Sequence, residues 1–74
     1  MDIEVKIFGH LAPSLPHHQE LNVPENAKVE DVTKILRLDS NLIGLITIDG
    51  RQSEDQNLVT PGCHLCFFPY LTGG

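Results

Sequence analysis

The residues with chemistry in them fall in three places. Cys63-His64-Leu65-Cys66 has the spacing of a redox or metal pair. His10, His17 and His18 bracket a proline-broken loop and could hold a metal. The chain ends in FFPYLTGG, an apolar run that gives way at Gly73 and Gly74 to the least bulky residue there is. The first two patterns have plain alternatives. Residues three apart on a strand face opposite ways, with Cα atoms about 10 Å apart, whereas a disulfide needs less than about 7 Å. Two thiolates also fall short of a structural zinc set unless histidines join them. Cys63 and Cys66 therefore read as two ordinary cysteines, the three histidines as solvated loop residues, and no metal site is expected. Gly73-Gly74 is either a loose end, as termini commonly are, or a working part.

The elements that must position these residues can be read from periodicity. IEVKIF alternates Ile3, Val5 and Ile7 with Glu4 and Lys6, the period of a half-buried strand, and Gly9 ends it. The segment with Pro13 and Pro16 reads as a loop, and QELNV as a second strand stopped by Pro24. PENAKVEDVTKILRL changes period: Val29, Val32, Ile35 and Leu36 share a helical face, with Asn26 the expected N-cap. Glu30 and Asp31 lie early and Lys34 and Arg37 late, the order the helix dipole favours, and Asp39-Ser40-Asn41 ends the segment. LIGLITID reads as a strand buried on nearly both faces, running into an Asp49-Gly50 turn. RQSEDQN, with Glu54 and Asp55, reads as a solvated loop, LVTPG as a short extended piece, and CHLCFFPYL as the last strand. On that strand Phe67 and Phe68 must point to opposite faces. One ring belongs in the core. The other is either a partner anchor on the outer face or shielded within the domain. Pro69 is expected to end strand pairing.

Composition agrees with one small globular domain over residues 1–74, with a flexible tail from about residue 70. Hydrophobic residues make up 41% and charged residues 20%. A net charge of −5 disfavours nucleic acid, whose phosphates demand Lys and Arg. No stretch approaches the roughly 20 apolar residues of a membrane span, and the N-terminus lacks the apolar run of a signal peptide. With unpaired cysteines this points to the cytoplasm. The order of strands and helix gives an α+β fold, a mixed sheet of four to five strands packed on one main helix.

That order, and above all the tail, resembles the MoaD/ThiS sulfur carriers, which have the ubiquitin-like β-grasp fold. Many MoaD-type members read roughly dGDeVaffPpvaGG. PGCHLCFFPYLTGG places Gly62, Phe67, Phe68, Pro69, Gly73 and Gly74 at matching positions. ITIDG resembles the turn one hairpin earlier. Tyr70 departs from a common second proline, Leu71-Thr72 from small or branched residues, and Cys63-His64 from an acidic pair.

The resemblance implies that the working group is the carboxylate of Gly74. It is adenylated by a partner of the MoeB/ThiF adenylyltransferase kind, which holds the ATP, and is then converted to a thiocarboxylate. Gly73 would supply clearance, and Phe67, Phe68, Pro69, Tyr70, Leu71 and Thr72 would guide the tail into the partner. The carrier would bind no cofactor, have no activity alone, and be a monomer when free. It would act as the small subunit beside a MoaE-like large subunit in a molybdopterin-synthase-like complex, serving molybdopterin or tungstopterin synthesis. The alternatives are a thiamine-type or tRNA-thiolation carrier, a ubiquitin-like modifier joined to lysines through Gly74, and a binding module with an inert tail.

Overall fold

A computed structural model describes residues 1–70. Its elements are β1 (Asp2–Ile7), β2 (His18–Asn22), α1 (Val29–Leu36), a 3-10 turn (Ser40–Leu42), β3 (Ile43–Ile48), β4 (Arg51–Ser53) and β5 (His64–Pro69). The sheet runs β2-β1-β5-β3-β4. β1 and β5 pair in parallel at its centre, and the other pairs are antiparallel. The expected α+β architecture is therefore the observed one, with the last strand in the middle.

Alternation along the strands separates two faces. Ile3, Val5 and Ile7 of β1 and Leu65 and Phe67 of β5 are buried, together with Val29, Val32 and Leu36 of α1. Each such side chain contributes about 1.5–3 kcal/mol through the apolar area it removes from water. The β1–β2 loop adds Leu11 to this core, and Val23 joins it just past β2.

Helix α1 is short and depends on its surroundings. Its N-cap is Lys28, not Asn26, which sits at φ 65 in the preceding turn. Asn tolerates that left-handed conformation better than most residues, so it serves the turn instead of the cap. The Asp31 carboxylate accepts from the Lys28 N–H at 2.8 Å. The Val29 and Glu30 N–H groups donate to the carbonyls of Asn57 and Asp55, both at 3.0 Å. The loop after β4 therefore satisfies donors that a helix start leaves open. Arg37, at φ 57, ends the helix, and the Leu38 N–H reaches back to the Thr33 carbonyl at 2.9 Å. The buried stripe is Val29, Val32, Thr33 and Leu36, while Ile35 is 47% exposed. Thr33 can take the inner position because its hydroxyl donates to the Glu30 carbonyl at 2.7 Å.

Two other expectations are corrected. Arg51–Ser53 is a strand and not a loop, because the two-residue turn at Asp49 and Gly50, both at positive φ, folds it directly back on β3. The short extended piece at Leu58 makes only an isolated bridge with Lys28. Strand β3 is also buried on one face only: Ile43 and Ile46 point inward, whereas Leu45 is 38% exposed because no layer covers the outer face of the sheet there.

Candidate functional site

The site is built around the end of β5. Phe67 is 0% exposed and belongs wholly to the core. Phe68, one residue on, points to the opposite face, as a strand requires. It is half-buried there and lies parallel to Phe8, with ring centroids 4.5 Å apart and planes at 6°. Phe8 itself is 41% exposed, so the pair presents aromatic surface to solvent. Leu45, opposite Phe68 in the β3–β5 register, extends it.

Pro69 is the last residue of β5 and pairs with Ile43, so it closes the ladder instead of lying beyond it. It also makes a specific contact that its expected role did not include. Its ring lies over Gly9, where a Cβ would meet the Pro69 Cγ at 2.7 Å. Tyr70 is 61% exposed, and its N–H donates to the Leu42 carbonyl at 3.3 Å. Two apolar depressions flank this segment. One, of about 490 Å3, is lined by Phe8, Gly44, Leu45, Phe68 and Tyr70 among others. The other, of about 390 Å3, is lined by His10, Leu11, Leu42 and Tyr70 with the shared Gly9 and Pro69. Leu71, Thr72, Gly73 and Gly74 lie outside the described residues.

Of the residues expected to guide the tail, Phe68, Pro69 and Tyr70 are thus brought together on one surface. Phe67 is not. It holds the strand in place from beneath. Phe8, Gly9, Gly44 and Leu45 complete the surface and were missed. Phe8 could have been found by continuing the alternation of β1, since Ile3, Val5 and Ile7 point inward and the next residue must point out. Gly44 had no such signal, because it sits at a register shift between Ile43 and Leu45.

The other end of the same face is polar. Glu4 Oε2 lies 3.2 Å from His64 Nδ1 and 3.5 Å from His18 Nε2. His17 Nδ1 meets the Ile7 carbonyl at 2.9 Å. His17, His18 and His64 are thus engaged with neighbours on the sheet, His10 is exposed in the loop, and among the described residues no group of His, Cys, Asp and Glu is arranged to hold a metal ion. Cys63 is buried just before β5 and Cys66 half-buried on it, both as free thiols. No helix among the described residues is long and apolar enough to cross a membrane.

No protein-family model matches this sequence, and no curated protein matches it at the level of sequence. Solved structures do match. SAMP1 from Haloferax volcanii superimposes with a TM-score of 0.75 at 20% identity, covering 100% of both chains. A second structure, of H. volcanii small archaeal modifier protein 1, gives 0.79 at 21% identity over 95% of this chain and 98% of that one. A Pyrococcus furiosus protein provisionally assigned as molybdopterin converting factor, subunit 1, gives 0.75 at 20% identity over 95% and 98%. What this chain has in common with them at such identities is architecture: a five-stranded mixed sheet on one helix, the ubiquitin-like β-grasp fold.

Proposed function

We propose that the chain is a sulfur carrier whose working group is the carboxylate of Gly74. The observation that carries this reading is the apolar surface of Phe8, Leu45, Phe68, Pro69 and Tyr70 at the point where the chain turns into LTGG. An exposed apolar patch on a small protein marks an interaction surface. Aromatic residues are favoured anchors there. A surface of that kind, two residues short of a pair without side chains, suits a partner that grips the domain and encloses the backbone of that pair. Glycine at Gly73 and Gly74 gives the clearance such an enclosure needs.

The chemistry belongs to the partner, an adenylating enzyme of the MoeB/ThiF kind. A Gly74 carboxylate oxygen attacks the α-phosphorus of ATP, and pyrophosphate leaves. A sulfur nucleophile then attacks the activated carbonyl carbon, and AMP leaves, so that the thiocarboxylate remains on the carrier. The carrier binds no cofactor and has no activity alone. The pathway we assign is molybdopterin or tungstopterin synthesis, with the carrier as small subunit beside a MoaE-like large subunit. The similarity in fold to the P. furiosus protein supports that assignment.

The test is intact mass after incubation with an adenylating enzyme of this class, ATP and a sulfide source. The expected result is one oxygen exchanged for one sulfur at Gly74, and about 100-fold slower exchange in Gly74→Ala, whose methyl displaces the reacting carbon. No exchange, with a family carrier reacting alongside, overturns the reading. A second reading, conjugation of Gly74 to protein lysines, is favoured by the two neighbours named as modifier proteins. A ladder of higher-mass conjugates in cells would establish it.

A further inference from the structure

We propose that Gly44 and Gly9 are positioning residues that set the direction in which the chain leaves the domain, and that the reactivity of the tail depends on them. The proposal rests on the carrier reading for its functional part and on geometry alone for its structural part.

Three contacts converge on the Pro69–Tyr70 segment. From the β3 side, Gly44 approaches so closely that a Cβ would meet the Tyr70 Cα at 2.9 Å, the Pro69 carbonyl oxygen at 3.0 Å and the Tyr70 nitrogen at 3.0 Å. From the β1 side, Gly9, at φ +68, lies under the Pro69 ring. The third is the Tyr70 N–H donated to the Leu42 carbonyl. Contacts under 3.0 Å to a flexible side chain are relieved cheaply. Here the atoms facing Gly44 are backbone, so a methyl group can be accommodated only by moving residues 69 and 70 or by moving β3. The register shift between Ile43 and Leu45 is what brings Gly44 to this place. A bulge re-aims the chain locally and is a common device beside functional sites.

The consequence is specific. The apolar platform would fix where a partner grips, and the glycine cradle would fix the position and heading of the chain at Pro69 and Tyr70 relative to that grip. A partner could still grip Phe8 and Phe68 if the cradle were filled, but Pro69 and Tyr70 would be displaced from their present heading. A misplacement of about 1 Å at a reacting centre can cost on the order of 100-fold in rate without weakening binding in proportion.

The experiment compares wild type, Gly44→Ala and Ile48→Val. The last trims the core side of β3 without touching the cradle. Residual dipolar couplings of the Tyr70 N–H and Cα–Hα bonds report direction, and the core methyl spectrum reports that the fold is kept. Turnover is then measured with the adenylating enzyme, ATP and sulfide. In Gly44→Ala the couplings at Tyr70 change while those of β1 do not, kcat falls about 10- to 100-fold, and any rise in KM is smaller than the fall in kcat. Ile48→Val leaves both the couplings and kcat as in wild type. Gly9→Ala, which presses the Pro69 ring from the other side and strains the backbone at φ +68, changes the Tyr70 couplings less than Gly44→Ala and serves if Gly44→Ala does not fold. Unchanged couplings overturn the proposal whatever the rate does. Changed couplings with wild-type kcat overturn the functional part. If wild type itself takes up no sulfur, the carrier reading fails, and the couplings alone decide whether the cradle steers the chain.

Discussion

Phe67 and Phe68 stand side by side in the chain and have opposite surroundings. Phe67 is fully enclosed, so Phe67→Ala removes its transfer energy and leaves a cavity, a loss of about 3–5 kcal/mol. Phe68 is covered on one side by Phe8, and the stacked pair contributes about 0.5–1.5 kcal/mol beyond the area it buries. Phe68→Ala is therefore expected to lower stability by less than half as much as Phe67→Ala. Its main effect is expected on partner affinity. Urea denaturation of both variants, beside a binding assay with the adenylating partner, separates the two roles. Equal destabilisation would mean that Phe68 belongs to the core after all. The choice between anchor and shielded residue was open in the sequence because the answer depends on Phe8, sixty positions away in the chain. Only the parallel pairing of β1 with β5 brings the two rings together.

At the scale of elements, α1 shows what periodicity can and cannot say. Val29, Val32 and Leu36 were legible as its buried stripe. Ile35 was assigned to the same stripe on hydrophobicity, and Thr33 was overlooked because it carries a hydroxyl. In a helix of 8 residues the stripe is narrow, and position 33 completes the i, i+3, i+4, i+7 set that position 35 does not. Val32→Ala is accordingly expected to cost about 2 kcal/mol, and Ile35→Ala less than about 0.5 kcal/mol. Thermal unfolding followed by circular dichroism checks the ordering, and a larger loss at Ile35 would contradict the observed register. The β3–β4 hairpin was half legible. Asp49-Gly50 announced the turn, but Arg51, Gln52 and Ser53 are polar and looked like loop. They form a strand because the turn and the β3 edge supply pairing that their side chains do not advertise. The side-chain and backbone bonds of Asp49 to His64, both at 2.9 Å, tie that hairpin to the start of β5. Gly44 was invisible for a different reason: a bulge is a relation between two strands, and no single strand's sequence records it.

At the scale of the whole molecule, charge and shape act together. The domain carries −5 overall, and the outer face of the sheet bears Asp2, Glu4 and Glu20 at the end away from the aromatic surface, with Lys6 between. A partner approaching that surface therefore meets a negative field. Association is expected to be steered by basic groups on the partner and to slow as salt is added. The Debye length falls from about 10 Å at 0.1 M to about 3 Å at 1 M. A drop in kon of about tenfold or more across that range, with koff nearly constant, is the expected outcome in surface plasmon resonance. A salt-independent kon would place the docking surface elsewhere on the molecule.

The central position of β5 has a consequence for how the protein is made. Of the five strands β1 leaves the ribosome first, yet its partner on one side is the one synthesised after the other four. Until His64–Pro69 emerges, β1 and β3 have no common neighbour, and Ile3, Val5 and Ile46 have no Phe67 to close over. The nascent chain can make hairpins and a transient helix, but its core cannot close before that strand is free of the tunnel. A prematurely terminated chain lacking β5 would be unfolded, open to degradation, and unable to offer a partner the surface on which Phe8 and Phe68 meet.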